Sequence, residues 1–143
     1  MILGVGVDLV EVGRLERAVS RYGEGFLTEI LSQGEIDRFR RSSRFLPACA
    51  AAFAAKEALF KALGTGRIGL VSWLDAEMKG FTGSAASTGS LAAPGLDLRG
   101  ETARIAAGLG VRRVFLGLAR AGSLAAAMVV LEGSPPRAET GRG

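Results

Sequence analysis

The sequence contains no histidine, a single cysteine, and only one tryptophan and one tyrosine among its 143 residues. Without histidine, imidazole is excluded as a general base, as a metal ligand and as a charge switch near neutral pH. With Cys49 alone, no disulfide can form within the chain, and its alanine-rich surroundings predict a small buried side chain. Because few aromatic rings are present to stack on bases, we expect no nucleic-acid partner.

Long hydrophobic runs are missing as well. The sequence has no apolar span of twenty residues and no signal-like start, so we expect a soluble cytoplasmic protein with no membrane partner. Its length and its hydrophobic content of 48% suit one globular domain with a real core. The net charge of +4 indicates an acidic partner, such as nucleic acid, an acidic protein or a phosphate-rich ligand, without choosing among them.

The stretch at residues 53–66, FAAKEALFKALGTG, consists mostly of strong helix formers, and Gly64 stands where a left-handed residue would end the helix. Glu57 and Lys61 are four residues apart and therefore share one helix face. Two interpretations are open. The pair is a surface ion pair, or Glu57 binds a hard cation while Lys61 and the glycine-rich turn bind phosphate.

Residues 2–10 are predicted to form a strand, because they are mainly β-branched residues and leucine, with two glycines that allow close backbone approach. Asp8 is a charge inside this apolar run. A buried carboxylate must be paired or must bind a cation, whereas an Asp at a strand end can cap the next helix. If the strand and the central helix converge, Asp8 and Glu57 form one metal site.

Residues 11–22 are predicted to form a helix with apolar residues at Val12, Leu15, Val19 and Tyr22. A second stripe on this helix is basic and comprises Arg14, Arg17 and Arg21. Such a stripe is usually a solvated face, and it also suits docking of an acidic helix from a partner.

The rest of the chain alternates between short helices and strands. Helices are predicted over residues 25–31, from Ser32 to about 41 with a capping box to Glu35, from Pro47 through the central stretch, and over residues 101–109. Strands are predicted within residues 68–78 and 91–98 and over residues 111–119 and 124–131. Residues 79–90 are expected to form a flexible loop, residues 38–44 a basic patch, and residues 133–143 a disordered tail.

Residues 4–12, GVGVDLVEV, and residues 53–66 together resemble the holo-acyl-carrier-protein synthase family of phosphopantetheinyl transferases. The resemblance covers residues 1–132. It implies an α+β fold, the 4′-phosphopantetheinyl transferase fold, in which a small antiparallel sheet wraps on a long central helix. It also implies a homotrimer with active sites between subunits. The implied reaction moves 4′-phosphopantetheine from coenzyme A to a serine of an acyl carrier protein, in fatty-acid or polyketide synthesis.

Carried over by position, Asp8 and Glu57 would be ligands of Mg²⁺, and Glu57 would also be the base for the carrier serine, directly or through water. Lys61 would stabilise the pyrophosphate. Gly64, Thr65 and Gly66 would approach the nucleotide through their backbone. The resemblance also makes Arg14, Arg17 and Arg21 the docking helix for the acidic carrier protein.

Three positions depart from the family pattern. Ala52 stands where the family usually has arginine. Residues 117–120 stand where the family usually has Ser-Leu-Ser-His, so Ala119 replaces a serine and Arg120 replaces the histidine. Arg120 can fork onto a phosphate but cannot act as a base at neutral pH. The transferase is therefore weighed against a paralogue that binds a carrier protein without transfer, and against a different reaction on a carrier-bound substrate.

Overall fold

The computed structural model describes residues 1–65, 71–82 and 93–136. In chain order the elements are β1 (Ile2–Glu11), α1 (Val12–Tyr22), α2 (Gly25–Ile30), α3 (Gln33–Arg40), α4 (Phe45–Leu63), a 3₁₀ turn (Trp73–Asp75), β2 (Ala76–Lys79), β3 (Gly95–Leu98), α5 (Gly100–Gly108), β4 (Val111–Ala121) and β5 (Leu124–Gly133). The expected α+β architecture is confirmed.

The larger sheet is antiparallel with strand order β1-β5-β4, so the first and last strands of the described chain are neighbours. Asp8 lies opposite Ala127, and Leu118 lies opposite the same alanine on the other side. Side chains alternate between the face that packs on α4 and the opposite face. The register therefore fixes Asp8 on the α4 side of the sheet.

Two glycines of β1 let the sheet approach α4 at backbone distance. A Cβ atom at Gly6 would lie 1.9 Å from the carbonyl oxygen of Ala58, and one at Gly4 would lie 2.1 Å from that of Ala62. Any larger residue would force the strand away from the helix, so the close approach expected of these glycines is confirmed. This contact sets the distance between the strand that carries Asp8 and the helix that carries Glu57.

Helix α4 is the centre of the core, and most of its residues are buried, including the alanines at 48, 50–52, 54, 55 and 58. A helix that is apolar on nearly all sides is one surrounded by other elements. Cys49 is completely buried as expected, and burial raises its pKa to about 12. Gly64 ends α4 in the left-handed conformation, with φ 70° and ψ 11°, which confirms the predicted C-cap.

A fully buried ion pair ties α4 to the two short helices. The Nζ atom of Lys56 lies 2.7 Å from Oε2 of Glu35 and donates to the backbone oxygen of Ile30 at 2.8 Å. Glu35 also accepts from the backbone amides of Ser32 and Met78. The capping box between Ser32 and Glu35 is confirmed. Burial lowers the pKa of the Lys56 ammonium, and the Glu35 carboxylate opposes that shift.

The smaller sheet pairs β2 with β3 and follows a turn that the sequence did not predict. Trp73, Leu74 and Asp75 form a 3₁₀ turn within the expected strand at residues 68–78, so the strand begins only at Ala76. Ser72 caps this turn by accepting from the amide of Leu74 at 3.1 Å. Asp75 accepts from the Thr102 hydroxyl at 3.3 Å, which connects the turn to α5.

Two residues have surroundings that helical spacing did not indicate. Tyr22, expected in the apolar stripe of α1, is 64% exposed, and its ring contacts Phe26. Arg38, in the basic patch, is half-buried, and it donates to the backbone oxygens of Met78 and Phe81 at 2.6 and 3.2 Å. Both differences arise because the burial of a side chain depends on contacts with other elements, which helical spacing alone does not predict.

At the C-terminal end, Gly133 belongs to β5 and the amide of Ser134 donates to the backbone oxygen of Gly110. Most of the tail and loop predictions, at 137–143 and 83–90, lie outside the described residues. Among the described residues, no helix has both the length and the apolar character needed to cross a membrane.

Candidate active site

Asp8 from β1 and Glu57 from α4 line one cavity of about 530 Å³. The acidic and basic residues that share it are Glu29 of α2 and Arg14 of α1. Its apolar wall includes Leu15, Phe26, Ile30, Phe53 and Trp73. The two carboxylates predicted to form one site are therefore brought to the same cavity by the close packing of β1 on α4.

Glu57 is held by the only tryptophan of the chain. The indole Nε1 of Trp73 donates to Oε1 of Glu57 at 2.6 Å. The indole ring also packs against Phe53, with 5.7 Å between ring centroids. Among the described residues, no hydrogen bond reaches the second carboxylate oxygen, Oε2. Glu57 thus has one oxygen fixed by the protein and one available to a ligand.

Asp8 is paired with Lys61 across the strand–helix contact. The Nζ atom of Lys61 lies 2.7 Å from Oδ1 of Asp8, whose side chain is only 16% exposed. The surface ion pair between Glu57 and Lys61, one of the two interpretations of their spacing, is not formed between these described residues, because Glu57 accepts from Trp73 and Lys61 pairs with Asp8. Asp8 does not cap α1, because the N-cap position is Glu11 and no side chain caps that end.

The two carboxylates suit a hard cation whose coordination shell is completed by water and by oxygens of a substrate. Within the described ranges, no group of three or more Asp, Glu, Cys or His residues is positioned to hold a metal ion. Mg²⁺ in proteins usually binds one or two carboxylates, keeps several waters and takes further oxygens from substrate phosphates. Asp8 and Glu57 fit that requirement, because both offer hard oxygen ligands in one cavity.

The residues predicted to bind the nucleotide lie elsewhere in the single chain. Gly64 lines a second crevice of about 340 Å³ with the apolar residues Leu109 and Pro135. The Thr65 hydroxyl donates to the backbone oxygen of Phe60 at 3.4 Å, and Gly66 lies outside the described residues. Arg120, near the end of β4, does not line the cavity of Asp8 and Glu57. Its Nη1 is buried and has no hydrogen-bond partner among the described residues.

The three arginines of α1 are all exposed, as the basic stripe predicts. Arg14 also lines the cavity, so the stripe runs from the edge of the site along the helix. The Arg21 guanidinium lies over the Tyr22 ring, 5.3 Å from its centroid. A partner that docks on this helix would therefore be held next to Asp8 and Glu57.

Sequence reasoning missed one contribution to the site. It placed Trp73 only within a predicted strand, because a lone tryptophan sixteen residues after an acidic residue matches no known motif spacing. Lys56, the residue before Glu57, does not line the cavity, because its side chain is fully buried against Glu35. Ala52, at the family's arginine position, is completely buried in α4.

Residues 4–110 match the family model for ACPS, the 4′-phosphopantetheinyl transferase superfamily. The chain belongs to this superfamily. The superfamily match includes both motifs around Asp8 and Glu57. A holo-[acyl-carrier-protein] synthase of Solibacter usitatus is 42% identical over 132 residues, which are 92% of this chain and 99% of that protein.

Solved structures of superfamily members share the fold. The holo-[acyl-carrier-protein] synthase of Neisseria meningitidis superposes with a TM-score of 0.79 at 30% identity, covering 92% of this chain and 99% of that one. The synthase of Bacillus anthracis, solved in complex with CoA (3′,5′-ADP), gives a TM-score of 0.69 at 32% identity, covering 94% and 99%. The expected membership of the holo-acyl-carrier-protein synthase family is confirmed.

Proposed function

We propose that this protein is an enzyme that transfers 4′-phosphopantetheine from coenzyme A to a serine of an apo acyl carrier protein. The observation that carries the proposal is the convergence of Asp8 and Glu57 on one cavity. These residues come from a strand and a helix that are far apart in sequence. Similarity to holo-[acyl-carrier-protein] synthases over nearly the whole chain supports the same conclusion.

The transfer is a displacement at phosphorus. The carrier serine oxygen bonds to the phosphorus that bears pantetheine, the bridging bond to the other phosphate breaks, and 3′,5′-ADP leaves with the electron pair. Glu57, directly or through a water molecule, takes the serine proton. Asp8 and Glu57 would hold Mg²⁺, which when bound offsets the negative charge that builds on the pyrophosphate.

Cationic side chains would bind the remaining phosphate oxygens. Lys61 extends from α4 to the edge of the cavity, where its ammonium already contacts Asp8. Arg120 supplies a guanidinium whose buried Nη1 has no hydrogen-bond partner in the described part of the chain, which suits a charge-assisted bond to a phosphate. Gly64, Thr65 and Gly66 would approach the nucleotide at the end of α4. Because Gly64 and Arg120 do not line the Asp8 cavity in one chain, the nucleotide site would be completed by a neighbouring subunit.

A homotrimer is supported by the outer face of the larger sheet. Six of the side chains that point away from α4 are large, apolar and 42–63% exposed. They are Val5, Val7 and Leu9 of β1, Phe115 of β4, and Leu124 and Met128 of β5. A contiguous apolar patch of this kind on a soluble domain marks an interaction surface. We assign this face to contacts between copies of the same chain in the trimer. The cytoplasmic location of the protein stays a prediction.

The carrier protein would dock on α1. Arg14, Arg17 and Arg21 present three exposed cations beside the cavity, and an acidic helix of the carrier is their complement. Reversing the charge of Arg14 and Arg17 to Glu should weaken carrier binding. The rate of association with the carrier should fall most at low salt, where steering by charge matters most. Unchanged carrier affinity in this double variant would contradict the docking assignment.

The deciding experiment is intact-protein mass spectrometry of an apo acyl carrier protein incubated with this protein, Mg²⁺ and coenzyme A. We expect a gain of one phosphopantetheine group. Asp8→Ala and Glu57→Ala should reduce the rate at least about a hundredfold. Asp97→Ala, which removes an exposed carboxylate of β3 that pairs with Lys79, is the matched control and should retain the rate.

Failure of transfer would separate the alternatives. If a known synthase modifies the same carrier in parallel and this protein does not, the proposal is wrong. Carrier binding through α1 without a mass gain would then favour the carrier-binding paralogue. A normal rate in Asp8→Ala or Glu57→Ala would instead contradict the metal assignment alone.

A further inference from the structure

The hydrogen bond between Trp73 and Glu57 has a geometry that suits the orientation of a metal ligand. The 2.6 Å distance between Nε1 and Oε1 is short for an N–H donor to a carboxylate. A carboxylate side chain that would otherwise rotate is thereby fixed about its terminal bond. Residues that hold metal ligands in this way commonly determine metal affinity.

The indole itself is held from two sides. On one side the 3₁₀ turn that carries Trp73 is closed by Ser72 and Asp75, and the backbone oxygen of Asp75 accepts from the amide of Arg99 at 2.7 Å. On the other side the ring packs on Phe53, one turn before Glu57 on the same helix. The donor is therefore placed by the 3₁₀ turn and by the packing on Phe53, without need of the bond to Glu57.

We propose that Trp73 is a positioning residue for the metal ligand Glu57. The indole N–H bonds to Oε1 of Glu57, so Oε2 is the oxygen that faces Mg²⁺ or the attacking serine. This inference rests on the proposed function of Glu57 and adds a residue that the sequence motifs do not contain. The indole N–H donates only, so it cannot compete as a metal ligand or as a base.

Because the chain has one tryptophan, the hydrogen bond can be observed without measuring transfer. In a ¹H–¹⁵N spectrum of the full chain, one indole N–H peak is expected. It should lie downfield of its position in Glu57→Ala, where the acceptor is gone. Addition of Mg²⁺ with 3′,5′-ADP should move this peak in the wild type. An indole peak at the same position in both proteins would overturn the proposal.

Trp73→Phe keeps an aromatic ring against Phe53 and removes the N–H donor. We expect its affinity for Mn²⁺, measured by calorimetry with 3′,5′-ADP present, to fall about 10–100-fold. The rate constant kcat should fall while the KM for the carrier protein stays unchanged, because the carrier docks on α1. Leu74→Ala changes an exposed residue of the same turn and should leave the Mn²⁺ affinity unchanged.

The outcomes distinguish this inference from the proposed function. A wild-type protein that binds no Mn²⁺ with 3′,5′-ADP would contradict the metal site and the proposal together. Wild-type binding and transfer with equal Mn²⁺ affinity in a folded Trp73→Phe would contradict the role of Trp73 alone. If Trp73→Phe loses its secondary structure, the comparison of the indole N–H peak between the wild type and Glu57→Ala tests the inference instead, because that variant keeps Trp73.

Discussion

The ammonium of Lys61 lies 2.7 Å from Oδ1 of Asp8 and 3.1 Å from the backbone oxygen of Val7. In this arrangement Lys61 places a positive charge against the carboxylate that would bind the proposed Mg²⁺ ion. A pyrophosphate entering the site would attract the same ammonium, because phosphate oxygens bind amines strongly. Binding of coenzyme A and binding of the metal are therefore expected to favour one another.

The variant Lys61→Met tests this coupling. Without the ammonium, Mn²⁺ should bind more tightly in the absence of nucleotide, because Asp8 is no longer paired. The affinity for 3′,5′-ADP should fall about ten- to hundredfold through loss of a charged hydrogen bond. Separate calorimetric titrations measure both constants. Lys79→Met, which removes an exposed lysine of β2, is the control, and identical metal affinity in the two variants and the wild type would contradict the coupling.

The close contact of β1 and α4 predicts a steric requirement at Gly6. In Gly6→Ala the new methyl would meet the backbone of Ala58 and Ala62, which cannot move aside as a side chain would. Overpacking of this kind lowers the free energy of unfolding by about 1–3 kcal/mol. Chemical denaturation measures the change. Gly108→Ala, at a helical position with no atom nearby, should be neutral or slightly stabilising.

The buried ion pair predicts a large effect for Lys56→Met. This variant leaves Glu35 as an uncompensated charge in the core, and breaking a buried pair lowers stability by about 3–5 kcal/mol. Denaturant unfolding measures the loss. The matched Lys79→Met breaks an exposed pair with Asp97 and should change stability by less than about 1 kcal/mol. Comparable losses in the two variants would mean that the Lys56 pair is not structurally important.

The apolar outer face of the larger sheet predicts an assembly that one charge can disrupt. Met128, opposite Val7 in the sheet, is 49% exposed in the single chain. Met128→Glu should convert the proposed trimer to monomers in sedimentation velocity, because a carboxylate is costly to bury without a partner. Tyr22→Glu places a charge on an exposed residue of α1, outside this face, and should sediment like the wild type. A monomeric wild type would contradict the proposal directly.

The thiol of Cys49 predicts a pH dependence. Burial raises its pKa from an ordinary 9.0 to about 12, so folding favours the neutral thiol. Its contribution to stability is present below about pH 9 and is lost as the pH rises toward 12. Iodoacetamide should react slowly with the folded protein at pH 8 and rapidly after unfolding in guanidinium. Rapid labelling of the folded chain would contradict the burial of Cys49.

The fold and the two carboxylates that meet in the cavity could be predicted because their signals are local. Asp8 interrupts a β-branched run, and Glu57 lies in a helix whose ends are marked by residue type. The direction of Lys56 could not be predicted, because α4 is apolar on nearly every side and helical spacing does not identify which side faces Glu35. Trp73 was missed because its contact with Glu57 is a tertiary contact, and the spacing of the two residues in the sequence does not indicate it.

The pairing of Asp8 with Ala127 also determines when the site can exist. During synthesis, β1 leaves the ribosome long before β5, the strand that holds it in the sheet. Pairing across so much of the sequence is among the slower events in folding. The two carboxylates are therefore brought together late, so a nascent chain that lacks β5 should neither hold Mg²⁺ at this site nor modify a carrier protein.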